Sequence, residues 1–284
     1  MSIRFQEKLL SHRMRGFCEI EHTPAALENA CASPVSYIEV DTRSTKDRKI
    51  ILYHDATGKM LKCNTPFHRL DSGAVGQLRY RDGQRILSLR HALEYFKENT
   101  GHGMTLCIDI KDYGFEEDHL SLVHGFNLQK RVCFVSWIPQ TLIRLFELDP
   151  SIPLILSHVN LSRFGTLGGA LVKLFSHRVI TLGPLVLMGS KTAENPITPY
   201  SKGYQHGYIS TSLPEKVIRI LQSSRGGICV HKYLVNKTLM TYCRENDIAL
   251  WIFSVKTRKG FLKYAQKEGI DVVFCDDVSS ILRE

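Results

Sequence analysis

Eight short apolar runs, at residues 8–12, 36–41, 104–110, 131–136, 152–157, 227–232, 248–254 and 271–275, recur along the chain with helix-patterned segments between them. This alternation predicts parallel strands, each followed by a helix that packs back on the sheet. Eight such units make a (β/α)8 TIM barrel of class α/β, which commonly needs about 250 residues. The 284 residues here, 43% of them hydrophobic, suffice for one barrel over 1–284, and no linker-like stretch or internal repeat divides them. Helices are expected from Thr23 to Cys31, with Thr23 as N-cap and Pro24 in the first turn, and from Ser88 to Glu98, Pro139 to Leu148 and Phe261 to Lys267.

One stretch exceeds the repeating unit. Between the fifth and sixth strands, residues 158–226 form an insertion where a short helix would do. Leu161 to Phe175 mixes apolar residues, glycines and basic residues, and the uncharged run Val179 to Ser190 is too short to span a bilayer. Two readings stand: an extra helix and hairpin packed on the barrel, or a lid or membrane-surface contact with Arg163, Lys173 and Arg178 bordering Phe164, Leu174 and Phe175. Because the insertion begins at the end of a strand, it is expected to overhang the carboxyl-terminal mouth.

The second strand carries Glu39 and Asp41, two residues apart and therefore on one face. Alone they could be solvated charges on a strand. Joined by Asp109 from the next parallel strand they form a convergent carboxylate cluster, and ionised neighbours repel unless a cation neutralises them. Oxygen ligands suit a hard divalent metal, Mg2+ or Ca2+. The charged tip Lys46-Asp47-Arg48 predicts a hairpin that brings His54 roughly opposite Asp41.

Near the amino terminus the run Leu9-Leu10-Ser11 ends in His12-Arg13, and the third strand ends in Asp109-Ile110-Lys111. With these segments the chain resembles the glycerophosphodiester phosphodiesterase family, metal-dependent (β/α)8 barrels that include the sphingomyelinase D-like phospholipases as a divergent branch. The resemblance is carried by His12-Arg13-Met14, Ile20-Glu21-His22-Thr23, Glu39-Val40-Asp41, Thr45-Lys46-Asp47-Arg48, His54-Asp55, Asp109-Ile110-Lys111, Trp251 to Val255 and Gly269 to Asp276, in the family's order. It implies His12 and His54 as the acid/base pair and Glu39, Asp41 and Asp109 as metal ligands. Glu21 would be a further ligand or an acceptor beside the metal, Arg13 and Lys111 would hold phosphate, and Trp251 would wall the pocket.

Two departures stand out. Met14 replaces a glycine, so the loop from Met14 to Gly16 is expected to take another path, with Gly16 supplying freedom. Asp109 replaces the usual glutamate, as in the sphingomyelinase D branch. His22, Cys107 and Ser254 are read as structural.

The formal charge of +9 comes without a nucleic-acid-binding signature, so no nucleic acid is expected; an anionic substrate or phospholipid surface accounts for it equally well. Eight cysteines without a C-x-x-C pair predict reduced, mostly buried thiols. The first residues lack a continuous apolar segment, which reads as a cytoplasmic protein. The leading expectation is a metal-dependent phosphodiesterase acting on small glycerophosphodiesters. The alternatives are a phospholipase D-like lyase on lysophospholipid or sphingolipid, with peripheral membrane contact, and an inactive phospholipid-binding barrel.

Overall fold

The structure, a computed structural model, describes residues 3–101, 103–176, 178–182, 185–189 and 204–283. Its first six strands are β1 (Leu9–Ser11), β2 (Tyr37–Ser44), β3 (Ile50–Leu52), β4 (Thr105–Ile110), β5 (Val132–Ser136) and β6 (Leu154–Ser157). Next come β7 (Val159–Asn160), β8 (Val179–Leu182), β9 (Leu185–Gly189) and β10 (Gln205–Ser210), and last β11 (Gly227–His231), β12 (Ala249–Val255) and β13 (Val272–Cys275). Eight strands, β1, β2, β4, β5, β6, β11, β12 and β13, pair in parallel, and β1 pairs with both β13 and β2. That last pairing closes the (β/α)8 barrel, and all eight strands fall on the eight apolar runs.

Local chemistry explains the helices. Thr23 caps Pro24–Cys31 by accepting the Ala26 amide, and Ser88 caps Leu89–Asn99 by accepting that of His91. Leu89, Ala92, Leu93 and Phe96 recur at helical spacing and bury one face of the latter helix. Pro139–Leu148 matches its expected bounds, whereas the last expected helix starts earlier, at Arg258, because Thr257 caps it there. Within the barrel, Leu10, Cys107, Cys133, Val135, Ile155, Cys229, Trp251, Val272 and Phe274 form a separate apolar interior. All eight cysteines are free and six are buried.

The insertion holds a helix, Gly165–Phe175, and a four-stranded sheet in the order β7-β10-β9-β8, with β8 and β9 as an antiparallel hairpin. Residues 190–203 lie outside the described residues. No helix among the described residues is long and apolar enough to cross a membrane.

Burial pushes four histidines, His22, His119, His158 and His206, down to about 4. Between pH 6.5 and 4 the unfolded chain therefore binds protons that the folded chain refuses, and stability falls as pH falls through that window. Each group contributes up to about 3 kcal/mol. Glu39, Asp109 and Glu116, which burial raises, act in the opposite sense, while His12, which burial lowers, adds to the fall. The unfolding temperature should drop clearly between pH 7 and pH 5; calorimetry showing a flat or rising value would contradict this assignment.

Candidate active site

Strands β2 and β4 run in parallel with Asp41 directly across from Asp109, and Glu39 lies two residues earlier on the same inward face. The three carboxylates each present an oxygen within 4.8 Å of the others, and all are buried. Burial and mutual repulsion raise Glu39 well above the ordinary carboxylate range; burial likewise raises Asp109. Burial would raise Asp41 too, but Lys111 and Arg13 outweigh it and hold that group well below its ordinary value.

The two cations expected to hold phosphate stand against these acids. Lys111 Nζ lies 2.7 Å from Asp41 Oδ1 and 2.5 Å from Asp109 Oδ2. Arg13 places Nε 3.1 Å from Asp41 Oδ2 and Nη1 3.6 Å from Glu21 Oε1, and its backbone N–H donates to Glu39 Oε2 at 2.9 Å. Glu21 is thus set apart from the triad, paired with Arg13 and with Arg15. The connected cluster counts five carboxylates, Glu21, Glu39, Asp41, Asp109 and Asp276, against the cations Arg13, Arg15 and Lys111. That leaves a formal charge of −2, and Asp109 Oδ1 is buried without a hydrogen-bond partner. An all-oxygen set with this surplus fits one hard divalent cation.

His12 and His54 are built alike. His12 Nδ1 lies 2.6 Å from Asp276 Oδ1, and His54 Nδ1 lies 2.8 Å from Asp55 Oδ1. Burial lowers the His12 pKa despite Asp276, so its imidazole is neutral at pH 7. For Asp276, burial alone would raise the carboxyl; hydrogen bonds from His12 and Ser254 and the charge of Arg15 bring it below its ordinary range. An ionised carboxylate only accepts, so it fixes the His12 proton on Nδ1 and leaves Nε2, 4.0 Å from Glu39 Oε2, with its lone pair. The hairpin register pairs the Tyr53 amide with the Asp41 carbonyl at 3.0 Å, one residue short of His54.

One expectation needs correction. Trp251 is not a pocket wall: it is the third residue of β12, buried in the barrel interior against Tyr37 at 5.5 Å and Phe274 at 6.1 Å. Its place early in the strand sets it away from the carboxyl-terminal mouth. In the loop after His12, Gly16 takes a φ of 88°, and an added Cβ there would collide with the Val278 backbone nitrogen, so it supplies the freedom expected of it. Arg13 and Met14 both adopt left-handed backbone, with φ of 57° and 55°, and the completely buried Met14 side chain offsets a cost of about 1–2 kcal/mol per residue.

Several site residues were not legible beforehand. The Asp41 amide donates to buried His22 Nε2 at 3.1 Å, and Ser254 donates to Asp276 Oδ2 at 2.5 Å, so the two residues read as structural hold parts of this cluster in place. Asp276 closes the last motif, yet only the fold places it beside His12. Arg43, 1% exposed, donates to the His54 carbonyl from Nε at 3.1 Å and Nη2 at 3.0 Å, and from Nη1 to Asp112 Oδ1 at 2.9 Å and the Tyr204 carbonyl at 3.0 Å. Gln205 Nε2 reaches the same His54 carbonyl at 3.2 Å, so the insertion lies at the mouth beside the His54 loop. Replacing Arg43 with alanine removes the guanidinium that pairs with buried Asp112. The variant should lose about 3–5 kcal/mol of stability in denaturant melts; a loss under about 1 kcal/mol would contradict the buried pair.

A cavity of about 500 Å3 opens above these residues, lined by Arg13, Glu21, His54, Asp55, Tyr80 and Asp276 among others. Its size suits a small molecule.

The sequence profile of the family described as glycerophosphoryl diester phosphodiesterase matches residues 10–164. The Bacillus subtilis protein YhdW, which carries the name of a glycerophosphodiester phosphodiesterase, is 27% identical over 158 residues, 51% of this chain and 63% of that protein. The match thus spans less than two thirds of that relative. Among solved structures, an Agrobacterium tumefaciens protein named for a glycerophosphoryl diester phosphodiesterase superposes with a TM-score of 0.68 at 15% identity, covering 96% of this chain and 95% of that one. An Oleispira antarctica phosphodiesterase, in complex with the product sn-glycerol-3-phosphate, gives 0.66 at 16% identity, covering 96% and 94%. These likenesses in structure share the barrel fold. With more than half of its length matched by the profile, the chain belongs to the glycerophosphoryl diester phosphodiesterase family.

Proposed function

We propose that the chain is a metal-dependent phosphodiesterase that cleaves glycerophosphodiesters to glycerol phosphate and an alcohol. The observation that carries this reading is the pairing of two carboxylate-anchored imidazoles, His12 and His54, with three converging buried acids at one barrel mouth. The Oleispira relative's bound glycerol phosphate points to the same substrate class.

Glu39, Asp41 and Asp109 would hold a divalent cation, Mg2+ or Ca2+, with Glu21 as a fourth acid nearby. Such an ion stabilises negative charge on the nonbridging phosphate oxygens. Neutral His12 offers Nε2 to take a proton from the attacking water, whose oxygen forms the new bond to phosphorus, and Asp276 stabilises the imidazolium that results. As the phosphorus–oxygen bond to the alcohol breaks, His54, held by Asp55, gives the leaving oxygen a proton. Arg13 and Lys111, drawn from their carboxylates, would meet the phosphate, Arg13 as a fork and Lys111 as a point charge.

A second reading is attack by a neighbouring substrate hydroxyl on a lysophospholipid, giving a cyclic phosphate. The short Asp109 side chain and the apolar surface of the insertion favour it. Incubation with glycerophosphocholine and with lysophosphatidylcholine, followed by phosphorus NMR of the products, tests both. Glycerol phosphate from the first substrate supports the main reading, a cyclic phosphate from the second supports the alternative, and no product from either leaves an inactive barrel.

A further inference from the structure

The helix Gly165–Phe175 of the insertion is built inside out. Gly168, Val172 and Ser176, four residues apart, turn inward and are buried, and an added Cβ at Gly168 would collide with the Leu161 carbonyl. The large apolar side chains face water instead: Phe164 is 50% exposed, Leu167 63%, Leu171 39% and Leu174 56%. Their spacing of three, four and three places them on one stripe. A helix packed for solubility alone would bury the leucines and expose small or polar residues.

Two further observations say what this stripe meets. Between Asp149 and Glu194 the chain has no acidic residue, while Arg163, Lys173 and Arg178 flank the stripe, in a protein of formal charge +9. Charge of one sign beside an apolar stripe complements an anionic lipid surface. The exposed apolar residues are also gathered at one end of the barrel. Of the eight large hydrophobics exposed among the described residues, only Leu148 lies away from segments that leave carboxyl-terminal strand ends; Met60 at the cavity rim, Leu182 and Tyr233 accompany the stripe. Arg163 donates to the Tyr233 carbonyl and Asn236 Nδ2 lies 3.4 Å from Ser162 Oγ, which ties the base of the helix to the loop after β11 at that mouth.

We propose that the stripe Phe164, Leu167, Leu171 and Leu174 seats on an anionic lipid surface and turns the barrel mouth toward phosphodiesters borne in that surface. The binding half stands without the catalytic assignment; the delivery of substrate rests on the phosphodiesterase reading above.

The full chain is to be floated with vesicles of phosphatidylcholine alone and of phosphatidylcholine with phosphatidylserine, at low and high salt. Binding is expected to the anionic vesicles, weaker to the neutral ones, and reduced by salt. Leu167→Ser, Leu171→Ser and Leu174→Ser combined should lower partitioning at least about tenfold, with hydrolysis of soluble glycerophosphocholine unchanged. Should that variant fail to fold, Lys173→Glu with Arg178→Glu provides the second arm, with an expected severalfold loss on anionic vesicles only. Wild type that stays off anionic vesicles overturns the proposal, as does binding indifferent to both variants. So does a dimer in solution that the serine variant dissolves, since a second copy would then cover the stripe. Failure of the catalytic reading shows separately, as absent hydrolysis with vesicle binding intact.

Discussion

His12→Ala is expected to lower turnover on glycerophosphocholine by about 10²–10⁴-fold while leaving the fold intact, the range that a positioned general acid or base contributes. The imidazole is neutral because burial opposes its charge, and Asp276 at 2.6 Å sets its tautomer. Asp276→Asn should follow it in direction, since an amide that donates to Nδ1 would move the proton to Nε2 and remove the lone pair from the reacting side. His54→Ala should fall in the same range. Steady-state kinetics on the folded variants checks all three, and near wild-type turnover in any of them removes that residue from the mechanism.

Glu39→Gln is expected to cost on the order of 10²–10³-fold in turnover, the scale of losing one preorganised electrostatic group, and to weaken activation by added metal. The same substitution should raise the unfolding temperature of metal-free protein. Burial, together with nearby Asp41 and Asp109, holds the Glu39 pKa well above the ordinary range, so an isosteric neutral group removes the cost of a buried charge there. Opposite signs for activity and stability mark a residue kept for chemistry rather than for folding. A variant both less active and less stable would mean that Glu39 supports the barrel through its bond to the Arg13 amide.

The barrel was legible because its strands announce themselves by composition: Ile38, Val40, Ile108 and Phe134 pack outward while Leu10, Cys107 and Val135 fill the interior. The acids were legible because a period of two is short-range, and parallel pairing then sets Asp41 beside Asp109. What escaped depends on contacts between distant segments. Asp276 meets His12 only because β13 closes on β1, and Arg43 matters only because Asp112 and Tyr204 converge on it. Trp251 was misplaced because a motif gives a residue's strand, not its height in the barrel. The left-handed backbone at Met14, offset by full burial of its side chain, escaped because a motif does not give backbone angles, whereas the freedom assigned to Gly16 was legible.

The central claim is that the acid cluster and the two histidines form one metal-dependent phosphodiesterase site. The most direct test is release of glycerol phosphate from glycerophosphocholine by chelator-stripped protein, followed by titration with Mg2+ and Ca2+. The account predicts that stripping abolishes release, that one or both ions restore it, and that Asp109→Ala cannot be restored at the same metal concentration. Full activity in the presence of chelator, or an Asp109→Ala variant that responds to metal as wild type does, would contradict it.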